Sequence, residues 1–182
     1  LETVLAVKPQ VIFITYMDAS LADEVQRTIG IPVVVLSYGA FATFDEAVYD
    51  AMRIAGRILN REKRAEAVVS YIESLRKDMR LRTREIPHES KQAVYVGGIG
   101  YRGAHGIEST EQRYIPFEWI SANNVAERAK ASIGSHVFVD KETLLKLNPD
   151  IIFIDGGGLS LVAADYRKKP EFYNTLKAFA HR

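Results

Sequence analysis

The chain has 182 residues, 47% hydrophobic and 26% charged, with a formal net charge of +1. That is enough chain for one ordinary domain or two small lobes with a sizeable core, and too balanced a charge to favour nucleic acid. Cysteine is absent, which excludes a disulfide framework and thiolate metal sites; no apolar run approaches the ~20 residues of a membrane-spanning helix.

Leu1–Lys8 read as the middle of a fold, so a removed upstream segment, carrying the signal peptide, is expected. Val11–Tyr16 is a continuous β-branched run, the pattern of a parallel strand buried on both faces. Ser20 is the expected cap of a helix over 21–29 that Gly30 stops. Pro32 opens the next strand, 33–36. Thr43 and Glu46 have capping-box spacing. From there Val48, Ala51, Ile54, Ala55, Ile58 and Leu59 share one helical face, and Asn60 ends the helix. A second helix is expected over 62–81, with the stripe Ala65, Val68, Val69, Ile72, Leu75 and Met79.

Polar residues at 83–91 mark a boundary, and 93–96 is a strand. The stretch 97–124 has little periodicity and is rich in Gly, Tyr and charge. A helix is expected over 124–132 and a short strand over 137–139. Asp140 caps a helix over 141–147, Pro149 ends it, and 151–154 is a buried strand. Gly156–Gly158 form a turn, and 170–180 reads as one helix. Strands alternating with helices give an α/β class with parallel sheets. The division expected is a partial αβ lobe over 1–43, a helical connector over 44–83 and a second αβ lobe over 91–182.

The chain also repeats itself. Residues 1–14 read LETVLAVKPQVIFI and residues 141–154 read KETLLKLNPDIIFI, identical at half their positions. Each copy is helix, proline, buried strand, with a glutamate (Glu2, Glu142) at the helix start. Two similarly built lobes follow from this.

With these two segments, the Gly30-Ile-Pro-Val-Val-Val strand opening, the helix GRILNREKRAEAVVSYI and KETLLKLNPDIIFIDGG, the sequence resembles the periplasmic-binding-protein family. That family serves ABC importers of iron–siderophore complexes, haem and vitamin B12. The resemblance implies two αβ lobes joined by a long connecting helix, with ligand in the cleft. It implies docking on a permease through one glutamate per lobe, here Glu2 and Glu142. It also implies strands before Leu1 and a closing strand and helices after Arg182, so the first lobe is expected to be incomplete in this chain. The protein would be periplasmic, or extracytoplasmic and lipid-anchored, meeting the membrane only through its permease and ATPase partners or that anchor.

Ligands of α/β sheets sit at the carboxyl ends of strands. The candidates there are Tyr16 and Tyr38 in the first lobe, with Met17, Asp18 and Phe41 nearby. In the second lobe they are Tyr101, Arg102, His105 and Glu108, then Arg113, Tyr114 and Trp119, with Asp155 and its glycines after the last strand. Tyr101, His105 and Glu108 are suited to a ferric ion. Arg102 and Arg113 suit the carboxylates of a chelate, and the aromatics a flat ligand. His88, His136 and His181 are expected to be structural or on the surface.

Gly98–Gly103 fits G-x-G-x-x-G after a strand, but 104–110 lacks the helical period that a dinucleotide fingerprint opens. No H-E-x-x-H, G-x-S-x-G or P-loop occurs. The function expected is therefore capture of a metal complex, an iron(III) chelate, siderophore or haem, without catalysis or a resident cofactor. Alternatives are an oxyanion of the molybdate type or cobalamin on the same fold, and a nucleotide-dependent enzyme using the Gly98–Gly103 loop.

Overall fold

The computed structural model describes residues 2–15, 17–39, 44–100, 103–129 and 136–180. The chain divides into two compact units, Leu1–Ser74 and Leu75–Arg182.

In the first unit, helix α1 (Glu2–Val7) leads to strand β1 (Ile12–Ile14), helix α2 (Ala19–Ile29) and strand β2 (Val33–Val35). β1 and β2 are parallel, Ile12 opposite Val33 and Ile14 opposite Val35. The N-cap of α2 is Asp18, not Ser20: its carboxylate accepts from the Leu21 amide at 2.9 Å. A carboxylate outcompetes a hydroxyl here because it also meets the positive end of the helix dipole. The capping bonds hold the Asp18 pKa below the usual carboxylate value, the Leu21 amide contributing most. Gly30 closes α2 at φ 68°, its amide donating to Gln26 O at 2.9 Å. Gln26 then accepts from the Val33 amide at 2.9 Å, tying helix to strand. β1 is half-buried rather than buried on both faces.

Helix α3 (Glu46–Ile58) starts on Asp45, whose carboxylate accepts from Val48 N. Asp45 therefore replaces the expected Thr43 cap, and Thr43 itself lies outside the described residues. After a turn with Asn60 at φ 53° comes helix α4 (Glu62–Thr83), and the division between the two units falls inside it. α3 and α4 meet at Gly56, where an added Cβ would lie 2.7 Å from Ala65 Cβ. Arg53 holds the pair from outside, reaching Glu46 at 2.8 Å, Glu66 at 2.9 Å and Asp50 at 3.3 Å.

The second unit is built on a parallel sheet of strands β3 (Ala93–Gly97), β5 (Asn123–Asn124) and β7 (Ile151–Ile154), in the order β5-β3-β7. A two-stranded antiparallel ribbon, β4 (Ser109–Glu111) and β6 (His136–Phe138), pairs Ser109 with Phe138 and Glu111 with His136. Helices α5 (Ile115–Trp119), α6 (Lys141–Leu147), α7 (Leu159–Lys168), α8 (Pro170–Thr175) and α9 (Lys177–Ala180) complete it. Alternation along β3 divides the interior. Val94 and Val96 pack with Ile99 and Phe117, whereas Tyr95 joins Ile107, Val125, Val137, Leu144, Val162, Tyr173 and Leu176. Asp140 caps α6 as expected, accepting from the Thr143 amide at 2.7 Å.

Three expectations change in this unit. The helix expected over 124–132 is instead β5 followed by a 3-10 turn, Val125–Arg128, with residues 130–135 outside the described set. Asn124 fixes this start: its side chain accepts from Ala126 N and donates to the Glu111 and Gln112 carbonyls, so it holds a strand end. The single helix expected over 170–180 breaks at Leu176, whose extended backbone (φ −77°, ψ 132°) sends its side chain fully into the core. α7 was not foreseen, and β4 and α5 occupy the stretch read as irregular.

The sequence repeat is a structural repeat. α1–β1 and α6–β7 share a detail that composition does not show: the residue before the proline is left-handed in both, Lys8 at φ 51° and Asn148 at φ 39°. Proline disfavours the right-handed helical region for its predecessor. Here the chain leaves the helix through the left-handed region. Asn tolerates this more easily than Lys.

Candidate functional site

The carboxyl end of the second unit's sheet is where three backbone segments converge. β3 ends in Gly97 and Gly98; β7 ends in Asp155–Gly158; the 103–108 segment returns between them. Gly98 N donates to Gly106 O at 3.1 Å, and Asp155 N to Gly97 O at 2.9 Å. Asp155 spends its carboxylate on the Gly157 amide, 2.8 Å away. The glycines are required by this crowding. A Cβ on Gly97 would stand 2.9 Å from Ile107 O, and one on Gly158 would run into the Gly98 backbone and the His105 carbonyl. Gly98 adds a positive φ of 79°. After Gly103 the chain runs through a turn into β4, so the G-x-G-x-x-G segment opens no helix.

The β4–β6 ribbon flanks this mouth. Ser109 is fully buried, and its hydroxyl donates to Ile99 O at 2.5 Å. The same oxygen lies 2.8 Å from His136 Nε2. One hydroxyl proton serves one acceptor, so His136 is the donor in the second contact and carries its proton on Nε2. Burial holds the His136 pKa below its usual value; Glu111 opposes and His105 adds to the depression. Burial thus favours the uncharged imidazole of His136. Phe138, 58% exposed, stands edge-on to two imidazoles, His136 and His105, each centroid 4.9 Å away. His136 and Phe138 were not among the site residues expected from sequence; Ser109 and Phe138 face each other only because of the ribbon's long-range register.

The expected residues distribute as follows. His105 stands at the mouth. Glu108 is half-exposed, 3.7 Å from Lys141 Nζ, which in turn lies 2.5 Å from Asp165; Tyr173 donates to Asp165 at 2.9 Å. Arg113 is exposed and paired with Glu118 at 2.8 Å. Tyr114 precedes α5 and packs edge-on against Phe117, centroids 4.8 Å apart. Trp119 ends α5, half-buried. Tyr38 is exposed, in the first unit after β2. Tyr16, Phe41, Tyr101, Arg102 and His181 lie outside the described residues, as does the His88 side chain. Among the described residues, no three imidazole or carboxylate groups cluster tightly enough to hold a metal ion alone. Glu2 and Glu142 both sit exposed in the first turns of α1 and α6, Glu142 paired with Lys146 at 2.7 Å.

A parallel sheet with a glycine-built mouth, in a chain that repeats one helix–proline–strand unit, defines an α/β fold of parallel sheets. The chain belongs to the periplasmic binding protein family, whose model matches residues 1–182. It is 25% identical over 182 residues to an uncharacterized ABC transporter substrate-binding lipoprotein of Bacillus subtilis, matching 99% of this chain and 55% of that protein. The chain thus spans about half of that relative's length. A periplasmic solute-binding protein from Veillonella parvula superposes with a TM-score of 0.74 at 23% identity, over 98% of this chain and 52% of that one. The periplasmic haem-binding protein HutB of Vibrio cholerae gives 0.69 at 18%, over 98% and 67%. Among the described residues no helix is long and apolar enough to cross a membrane.

Proposed function

We propose that this protein is the solute-binding component of an ABC importer, acting outside the cytoplasm. It captures a metal complex, an iron(III) chelate, siderophore or haem, and delivers it to a permease and ATPase. One observation carries the reading. The helix–Pro–strand unit, with an exposed first-turn glutamate, occurs once in each unit of a chain that the family model matches from end to end.

On this reading the protein performs no chemistry and holds no resident cofactor; the metal is cargo. The second unit's mouth contributes ligand contacts through His105 and, in the adjoining segment, Tyr101 and Arg102. Glu2 and Glu142 meet arginines of the permease, an interaction suited to bidentate carboxylate–guanidinium pairing. The B. subtilis relative is named a lipoprotein, which supports a lipid-anchored, extracytoplasmic setting here.

The test is tryptophan-fluorescence titration of the intact protein with haemin, cyanocobalamin, ferric catecholate, sodium molybdate, NAD and FAD. Saturable quenching by a metal complex supports capture. A response to molybdate alone moves the cargo to an oxyanion within the same class. A melting shift with NAD or FAD, and no chelate binding, overturns the reading in favour of a nucleotide-dependent enzyme.

A further inference from the structure

Away from the mouth, the second half of α4 carries a charge pattern that capture does not use. We propose that Lys77, Arg80, Leu81 and Ile86 form a patch that rests the protein on an anionic lipid surface. The patch is independent of the cargo and shares with the capture reading only its extracytoplasmic setting.

Three observations carry it. First, charge is segregated. Residues 76–84 hold five basic side chains and one acidic one, a net +4. The whole chain has 24 basic and 23 acidic side chains, so the remainder, 19 against 22, is net −3. Second, the cations are not all spent. Arg82 pairs with Asp78 at 2.8 Å and Arg84 with Glu85 at 3.2 Å. Lys77 and Arg80 have no ion pair among the described residues, although Glu73 stands one turn before Lys77 on the same helix. The helix dipole accounts for cations in the last turn, Arg80 and Arg82, and fades before Lys77. Third, exposed aliphatic side chains stand among these cations. Leu81 is 48% exposed, one helical turn from Lys77. Ile86, 45% exposed, is held in the turn that ends α4, its amide donating to Thr83 O at 3.2 Å. Cationic groups beside aliphatic ones match the boundary of a bilayer, where phosphates lie next to acyl chains. A polyanion without acyl chains would use the cations and leave Leu81 and Ile86 in water.

The intact, unacylated protein is cosedimented with vesicles of phosphatidylcholine alone and of phosphatidylcholine with an equal part of phosphatidylglycerol. Binding is expected to the anionic vesicles only, falling as sodium chloride is raised from about 0.05 M to about 0.5 M. The double variant Lys77→Gln, Arg80→Gln should weaken it about 10- to 30-fold, and Leu81→Ser, Ile86→Ser about three- to fivefold. The control Lys63→Gln, Arg64→Gln makes the same change in net charge on the same helix and should leave binding unchanged. All six positions are exposed, so melting temperatures should stay at the wild-type value. No binding to anionic vesicles, equal binding to both kinds, binding unaffected by either patch variant, or an equal loss in the control overturns the patch. Retention on immobilised polyglutamate without vesicle binding also overturns it, and assigns the cations to an acidic protein. Cargo titration reads the capture role separately, so the patch can fail while capture stands.

Discussion

Gly158 is the residue on which the mouth of the second unit turns. Its backbone (φ −98°, ψ −9°) is open to any residue, so Gly158→Ala incurs no dihedral strain. Its cost is purely steric. The new Cβ would sit 2.5 Å from Gly98 Cα and 2.6 Å from the His105 carbonyl oxygen. Both obstacles are backbone and cannot rotate aside, so one segment must move by the better part of an ångström. Overpacking of this kind costs about 1–3 kcal/mol; the stiffer unfolded chain returns about 0.4–1 kcal/mol. The net loss of about 1–2 kcal/mol shifts a urea midpoint down by roughly 0.5–1 M at an m-value of about 2 kcal/mol/M. Two controls separate mechanisms. Gly156→Ala meets nothing within 4 Å and should be neutral or slightly stabilising. Gly30→Ala also meets open space, but at φ +68°, so it should cost about 1 kcal/mol through strain alone. Urea unfolding of the intact protein, followed by circular dichroism, reads all three. Equal midpoints for Gly158→Ala and Gly156→Ala would refute the close approach.

Three further outcomes are expected. Leu144→Ala and Leu176→Ala each remove a fully buried side chain and should cost about 2–5 kcal/mol by urea unfolding. The Lys141 ammonium holds the Asp165 pKa below the usual carboxylate range, assisted by Tyr173 and opposed by burial. A depressed folded pKa contributes stability above the unfolded value of about 3.9 and loses it as pH falls through the folded value. Lys141→Met should therefore cost about 1–2 kcal/mol at pH 7, and the difference from wild type should shrink in thermal melts at progressively lower pH below 4. Glu2→Ala and Glu142→Ala should leave ligand affinity and melting temperature unchanged while lowering uptake in reconstituted vesicles. Uptake at the wild-type rate in the double variant would remove both residues from docking.

Much of this fold could be read directly. β1, β2, β3 and β7 are runs of β-branched residues between turn signals, and α3 and α4 carry a 3.6-residue stripe, so local periodicity names them. Asp140 is the lone cap candidate before α6, and it caps that helix. Ser20 loses the cap to Asp18, two residues earlier, which competes for the same amides. The site was less legible. Each strand of the β4–β6 ribbon is three residues long, too short for any period, and its pairing joins residues 27 apart at Ser109 and His136. Val137 and Val139 are buried, so strand alternation turns Phe138 to the opposite, exposed face. The Glu108–Lys141–Asp165 chain is likewise assembled by packing, with no spacing to announce it.

The two copies of the repeated unit show where sequence stops deciding burial. Lys8 and Asn148 reach the same left-handed geometry, and the strands that follow both take a parallel partner, so the local instruction is obeyed twice. The helix faces then part company. Leu144 is fully buried, joined in one core by Leu145, Leu147, Leu176 and Phe179. Its counterpart Val4 is exposed, as is Leu5, and Val7, the counterpart of Leu147, is 74% exposed. In the second unit this face packs with Tyr173, Leu176 and Phe179 of the α8–α9 segment. Amphipathic pattern therefore specifies which face seeks cover, and tertiary neighbours decide whether that face is covered. A transferable inference from such a repeat is thus limited to backbone geometry and the placement of exposed groups, which is why Glu2 and Glu142 can be compared across the units while the burial of the residues behind them cannot.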